Sequence, residues 1–175
     1  MAGDPETAVG EALSRLGIAH RVLACDPAAA DTAVFCERYG IPAEDTANTI
    51  LVAIKRAPRA YVACVVLATT RLDVNHGLRE LLGEKRLSFA NAEEAVALTG
   101  MQVGGVTPFG LPEAIPVFVD AALMERPEVV LGGGGRSTKL RLAPAELRKL
   151  PGLQVVAGLA RPRDEDRQGF SSSVT

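Results

Sequence analysis

Thr49-Ile50-Leu51-Val52-Ala53-Ile54 and Tyr61-Val62-Ala63-Cys64-Val65-Val66-Leu67, set on either side of Ala57-Pro58-Arg59, decide the fold class. Both runs are apolar and rich in β-branched residues, and the proline between them marks a turn. They read as an antiparallel hairpin at the centre of a sheet.

Helical signals surround this hairpin. Asp4-Pro5 reads as an N-cap with proline at the first helical position, followed by Val9, Ala12, Leu13 and Leu16 and a stop at Gly17. A second helix is expected after Asp31, carrying Val34, Phe35 and Tyr39 and ending at Gly40. Asp73 to Leu82 reads as a short helix closed by Gly83, and Asn91 with Glu94 as a capping box for a helix ending at Gly100. Short strands are expected at His20 to Ala24, Leu87 to Phe89, Ile115 to Val119, Val129 to Leu131 and Leu153 to Val156. Lys139 to Leu142 alternates charge with leucine, the pattern of a half-exposed strand, and Ala143-Pro144-Ala145-Glu146 opens a last helix. Asp120 is placed to cap the helix that follows its strand or to help shape a pocket, capping being the favoured role.

Strands and helices alternate irregularly, so a single α+β domain fits better than a doubly wound nucleotide fold. The expected architecture is a mixed, largely antiparallel, partly closed sheet flanked by helices over residues 1–160. Residues 161–175 turn to charge, Gly and Ser and are expected to be a disordered tail.

The 175 residues are 47% hydrophobic but hold no Trp, so Ala, Val and Leu must pack the core. A net charge of −2 argues against a protein that coats nucleic acid by positive field alone, and leaves room for a local basic patch. Cys25, Cys36 and Cys64 form no CxxC pair, which argues for reduced thiols and against a zinc site. No apolar run is long enough to span a bilayer, and the acidic start is unlike a signal peptide. The expectation is a cytoplasmic protein with no membrane association, metal or cofactor.

Two stretches are unusually rich in glycine: Gly104-Gly105-Val106-Thr107-Pro108-Phe109-Gly110 and Gly132-Gly133-Gly134-Gly135-Arg136-Ser137. Consecutive glycines either let backbone amides approach a ligand as an anion-binding nest, or simply form tight turns. Neither stretch is a nucleotide motif. A Walker A loop fails on Val130 and Arg136, and a dinucleotide fingerprint fails on Ser137.

Taken in order, these segments resemble the YbaK/prolyl-tRNA-synthetase editing-domain family. Thr49-Ile50-Leu51-Val52-Ala53 is similar to the family's Thr-Leu-Leu-Val segment, and Gly104 to Pro108 to its GxxxP substrate loop. Ile115 to Asp120 is similar to its strand ending in aspartate, and Gly133-Gly134-Gly135-Arg136 to its later glycine loop. The match runs from about His20 to about Leu159.

The resemblance implies a trans-acting aminoacyl-tRNA deacylase. Such proteins hydrolyse the ester joining a mischarged small amino acid, cysteine or alanine, to tRNA, typically tRNA(Pro). A synthetase pocket rejects a similar or smaller side chain by only a few kcal/mol, so a second sieve is needed. The implied partners are the aminoacyl-adenosine end of the tRNA and prolyl-tRNA synthetase. Thr49, Gly105, Val106, Thr107, Pro108, Phe109, Gly133, Gly134 and Arg136 would bind substrate, and Gly104 would supply stabilisation through its backbone.

One departure bears on catalysis. The family carries a lysine directly before the Thr-Leu segment, where this chain has Asn48. Asparagine donates and accepts hydrogen bonds but brings no charge. Either the cation has moved, with Lys139 or Arg136 contacting the adenosine phosphate or the carbonyl while Asn48 orients the substrate, or Lys139 is a solvated strand charge. The alternative to catalysis is a non-catalytic aminoacyl-tRNA-binding or regulatory module. Asn48, Gly104 and Lys139 are thus the candidate catalytic set. Lys55, Arg56, Arg59, Arg71, Lys85, Arg86 and Arg141 are candidates for a basic rim. His20 and His76 lack partners at ligand spacing, Cys25 is placed at a pocket mouth, and Cys64 reads as core.

Overall fold

A computed structural model describes residues 3–163. The first helix, α1 (Pro5–Leu16), is capped by Asp4, whose carboxylate accepts from the Thr7 amide, and ends where Gly17 turns left-handed. Then come β1 (Arg21–Ala24), α2 (Thr32–Tyr39), and the hairpin β2 (Ala47–Ile54) and β3 (Ala60–Leu67). After β4 (Thr70–Leu72), a wide turn at Val74–Leu78 leads into α3 (Arg79–Leu82), followed by β5 (Leu87–Phe89) and α4 (Ala92–Thr99). The capping box at Asn91 and Glu94 forms as its sequence dictates. The chain finishes with β6 (Val117–Asp120), β7 (Val129–Gly132), β8 (Thr138–Leu142), β9 (Gln154–Val156) and β10 (Ala160–Pro162).

The central sheet has the order β5-β2-β3-β6-β9, beside a three-stranded sheet β1-β8-β7 and a pair β10-β4. The hairpin pairs in full register from Ala47 with Leu67 to Ile54 with Ala60. β6 and β9 join it in parallel, while the other pairings are antiparallel. The partial closure expected from sequence is not present. All three sheets are open, and among the described residues the backbones of the two larger ones pair at a parallel bridge between Thr46 and Val130.

Why the hairpin reads as continuous apolar sequence is now plain: both faces are buried. Ala47, Leu51, Ala63 and Val65 pack with Val9 and Leu13 of α1, while Val52, Ile54, Val62 and Cys64 pack with Leu72, Leu78 and Leu159.

Several boundaries differ from the sequence reading. The segment after Ala143 is a 3-10 turn (Pro144–Lys149) rather than an α-helix. Asp120 makes no side-chain cap; its carboxylate accepts from the Leu159 amide at 3.2 Å, pinning the end of β6 to the approach to β10. The body also runs past residue 160, because Arg161 and Pro162 pair with Arg71 and Thr70. The remainder of the expected tail, 164–175, lies outside the described residues.

Candidate active site

The cavity follows from backbone parity in β2. The Ala68 amide donates to the Thr46 carbonyl, whereas the Leu51 carbonyl accepts from Ala90 on the opposite side. Even-numbered residues of β2 therefore spend their backbone groups on β3, and odd-numbered ones point to the other edge. That edge is covered by β5 only over Val52–Ile54 and is touched by β7 at Thr46. In the interval between them, Ala47 to Ile50 lines a cavity of about 320 Å3. Thr32 and Phe35 of α2, Gly104, Val106, Gly132, Lys139 and two alanines of α4, Ala92 and Ala95, complete its walls.

Lys139 is not the solvated strand charge that its alternating pattern suggested. Only 5% of it is exposed, and its Nζ donates to the carbonyls of Ala30 at 2.6 Å and Gly104 at 2.7 Å. The ammonium also sits 5.5 Å from the centre of the Phe35 ring, within cation–π range. Burial pushes the Lys139 ammonium below its ordinary value, and the charge of Arg136 acts in the same direction. Two carbonyl acceptors and an aromatic face hold a cation in a wall where water does little.

Asn48, on β2, lines the same cavity as Lys139. Its Oδ1 accepts from Thr32 Oγ1 at 2.6 Å, which orients the side chain and leaves the amide NH2 as its other functional end. Thr32 is a site residue that sequence reasoning missed, since Asp31-Thr32 signals only a helix start. Thr49, also predicted, lines the cavity as well.

The two glycine stretches meet, but mostly to pack on each other. The Gly134 amide donates to the Gly105 carbonyl at 2.7 Å, and the Gln102 amide to the Gly134 carbonyl at 2.9 Å. A Cβ on Gly105 would stand 2.1 Å from the Gly135 carbonyl oxygen, and one on Gly132 2.7 Å from that of Gly105. Glycine is thus required for backbone-to-backbone approach of the two loops. Gly104, at φ +85, faces the cavity, as does Val106. Among the described residues the amides of Gly104 and Val106 have no protein acceptor.

The remaining predicted residues sit behind these loops. Thr107, Pro108 and Phe109 are buried, with Phe109 in the core beneath α1. Gly133 and Gly134 lie against Thr138 and against Pro5 and Val9, away from the cavity wall. Arg136 ties loops together: its guanidinium donates to the carbonyls of Pro27 and Val103 and pairs with Asp31. Gln102, whose side chain accepts from the Arg136 amide, was not legible as part of this arrangement.

Other candidates separate cleanly. Cys25 is buried, its thiol directed at the Asp26 carbonyl, and it is absent from the cavity lining. Cys64 is core, its thiol pushed up by burial to about 12. His20 bonds the Ile18 carbonyl, while His76 lines a separate hollow beside β4. Arg56 and Arg59 are paired with Glu84 and Glu94. Lys55, Lys85 and Arg86 are exposed, with no ion pair among the described residues. No group of three or more His, Cys, Asp or Glu among the described residues is arranged to hold a metal, and no helix there is long and apolar enough to cross a membrane.

A family model for the aminoacyl-tRNA editing domain matches residues 26–150, a span that contains every wall of this cavity. The chain belongs to the aminoacyl-tRNA editing domain family. Its fold matches the crystal structure of hypothetical protein APE2540 with a TM-score of 0.79 and 30% identity, covering 88% of this chain and 99% of that one. It also matches a protein described as a candidate trans-editing enzyme for prolyl tRNA synthetase, with a TM-score of 0.77 and 26% identity over 89% of this chain and 96% of that one. The uncharacterized protein YwhH of Bacillus subtilis (strain 168) is 28% identical over 113 residues, 59% of this editing-domain chain and 71% of YwhH.

Proposed function

We propose that this editing-domain protein is a trans-acting deacylase that hydrolyses a small mischarged amino acid, of the cysteine or alanine type, from tRNA(Pro) in the cytoplasm. The observation that carries the reading is Lys139: a buried cation held at the wall of the cavity that Asn48, Thr49 and Gly104 also line. It answers the loss of lysine at position 48 with a positive charge delivered from another strand.

In this reading the esterified ribose enters beside the open edge of β2, and the small side chain lies against Ala92, Ala95 and Val106. Water, positioned by the neighbouring ribose hydroxyl, adds to the ester carbonyl carbon; for a cysteinyl ester the substrate's own thiol is the alternative nucleophile, expelling the ribose oxygen to give a thiolactone that water then opens to cysteine. Negative charge builds on the carbonyl oxygen, where the amides of Gly104 and Val106 and the Lys139 ammonium stabilise it. Collapse breaks the bond to the ribose oxygen, which leaves with a proton, giving free amino acid and uncharged tRNA. Asn48, fixed by Thr32, orients the substrate through its amide NH2. Fixed donors in a dry wall suit a site without a protein general base. Prolyl-tRNA synthetase is the proposed partner that supplies tRNA identity, in keeping with the chain's weak overall field.

A second reading is favoured by Asn48 itself: a module that binds aminoacyl-tRNA without turnover. Incubation with Cys-, Ala- and Pro-charged tRNA(Pro) separates the two. The deacylase reading expects ester loss from the first two and little from the third. Tight binding of all three without ester loss would favour the second reading.

A further inference from the structure

Outside the cavity, the most suggestive feature is a line of hollows along the β5 edge. A depression of about 210 Å3 shares Thr49, Ile50, Ala95 and Val106 with the cavity, and has Phe89 as its far wall. Phe89 is in turn a wall of a third hollow, of about 550 Å3, which includes Arg71, Asn75, His76, Ser88 and Arg161. The alignment has a simple origin. Asn48, Ile50 and Val52 alternate onto one face of β2, and Phe89 is directly opposite Val52, so its ring stands on that same face. The distance along the strand from Asn48 to the Phe89 position is about 13 Å, four residues at roughly 3.3 Å each.

Phe89 is 58% exposed, although the other phenylalanine of its sheet, Phe118, is buried. Beyond it, Leu87 pairs with Ile54, and the Lys55 amide bonds the Arg86 carbonyl, bringing two exposed basic side chains to the end of the line. Among the described residues lining the third hollow, Asp73 is the one carboxylate, and it is committed to Arg161 at 2.9 Å and to the amide of His76. An aromatic platform followed by basic groups suits a single-stranded polynucleotide, whose bases each offer a flat face and whose linkages each carry a negative charge.

We infer that this groove holds the unpaired 3′ strand of the RNA, with a base next to the esterified nucleotide stacked on Phe89 and the preceding phosphates beside Arg71, His76, Arg161, Lys55 and Arg86. The inference rests on the proposed deacylase site, which fixes where the terminal nucleotide lies and hence the direction of the strand.

The test uses the full chain and two probes: a non-hydrolysable 3′-alanylamido-adenosine, and an RNA hairpin with a four-nucleotide single-stranded 3′ end carrying the same group. The overhang RNA is expected to bind tighter than the mononucleotide. Phe89→Ala weakens the RNA about tenfold and leaves the mononucleotide unchanged, and Phe89→Trp restores the RNA. Lys55→Ala with Arg86→Ala lowers the salt slope of RNA binding by about 1.4, two contacts at roughly 0.7 each. Mononucleotide binding with no gain from the overhang, or an overhang gain insensitive to Phe89→Ala, would overturn the groove while leaving the deacylase site intact. Failure of the mononucleotide to bind would instead remove the site on which the groove depends. Polyglutamate binding as tightly as the RNA, with the same Phe89 sensitivity, would reassign the groove to an acidic protein ligand.

Discussion

Lys139 Nζ donates to the Gly104 carbonyl oxygen at 2.7 Å, so one buried cation ties β8 of the small sheet to the loop that closes the cavity. The same bond fixes the peptide between two glycines that would otherwise be free to turn. Charge and loop geometry are therefore one unit, and disturbing either should disturb the chemistry.

Lys139→Met is expected to lower single-turnover deacylation by at least a hundredfold. Removing the ammonium leaves the Ala30 and Gly104 carbonyls without their donor, at about 1–3 kcal/mol each. Release of a desolvated charge offsets much of that, so the net stability change should fall within about 2 kcal/mol and the protein should remain folded. Denaturant melts beside the rate measurement check both.

The pH dependence of stability follows from the direction of the Lys139 shift. Burial holds its folded value below 10.5, the ordinary value that the unfolded chain retains. Between those two values the unfolded state binds more protons, so this group's contribution to stability rises with pH, and its cost is present in full below the folded value. Unfolding free energies of wild type minus Lys139→Met, measured from neutral pH to pH 10, should increase. A flat or falling difference would contradict the assignment.

Thr32→Val removes the hydroxyl that holds Asn48. The expected effect is a loss of several-fold in deacylation with an unchanged melting temperature, because only the orientation of Asn48 is released.

Glycine substitutions should divide by position. Gly105→Ala drives a Cβ into the Gly135 carbonyl and should abolish activity and cost several kcal/mol through forced separation of the loops. Gly10→Ala, in α1 with nothing within 4 Å, should stabilise by about 0.5–1 kcal/mol and leave the rate alone. Thermal melts and deacylation of both proteins provide the comparison.

Asp120→Ala tests a structural role outside the cavity. It leaves the buried Leu159 amide without an acceptor and should cost about 1–3 kcal/mol in denaturant melts. Deacylation at a temperature where the variant is folded should match wild type.

Local signals were legible where a single residue settles a local geometry. The caps at Asp4 and Asn91 and the left-handed glycines at 17, 40 and 100 all appear where their neighbours predict. The central hairpin was legible because two buried faces demand apolar residues at every position. Lys139 was misleading for a physical reason: alternation predicts which face a residue occupies, and not whether another loop lies over that face. Here Gly104 and Ala30 cover it. The glycine loops invited a ligand-cradle reading, whereas Gly105 is required by the approach of the Gly135 backbone and Gly132 by that of Gly105. No local pattern distinguishes those two demands. Arg136 and Gln102 stitch together segments more than 30 residues apart, which periodicity does not report.

The proposed relocation of the cation from position 48 to Lys139 can be tested most directly by moving it back. Deacylation of Ala-tRNA(Pro) under single-turnover conditions is compared for wild type, Lys139→Met, and Lys139→Met combined with Asn48→Lys. If charge in this cavity drives ester hydrolysis, the single variant should be nearly inactive and the double variant should recover at least a tenth of the wild-type rate. A folded Lys139→Met protein as fast as wild type would contradict it.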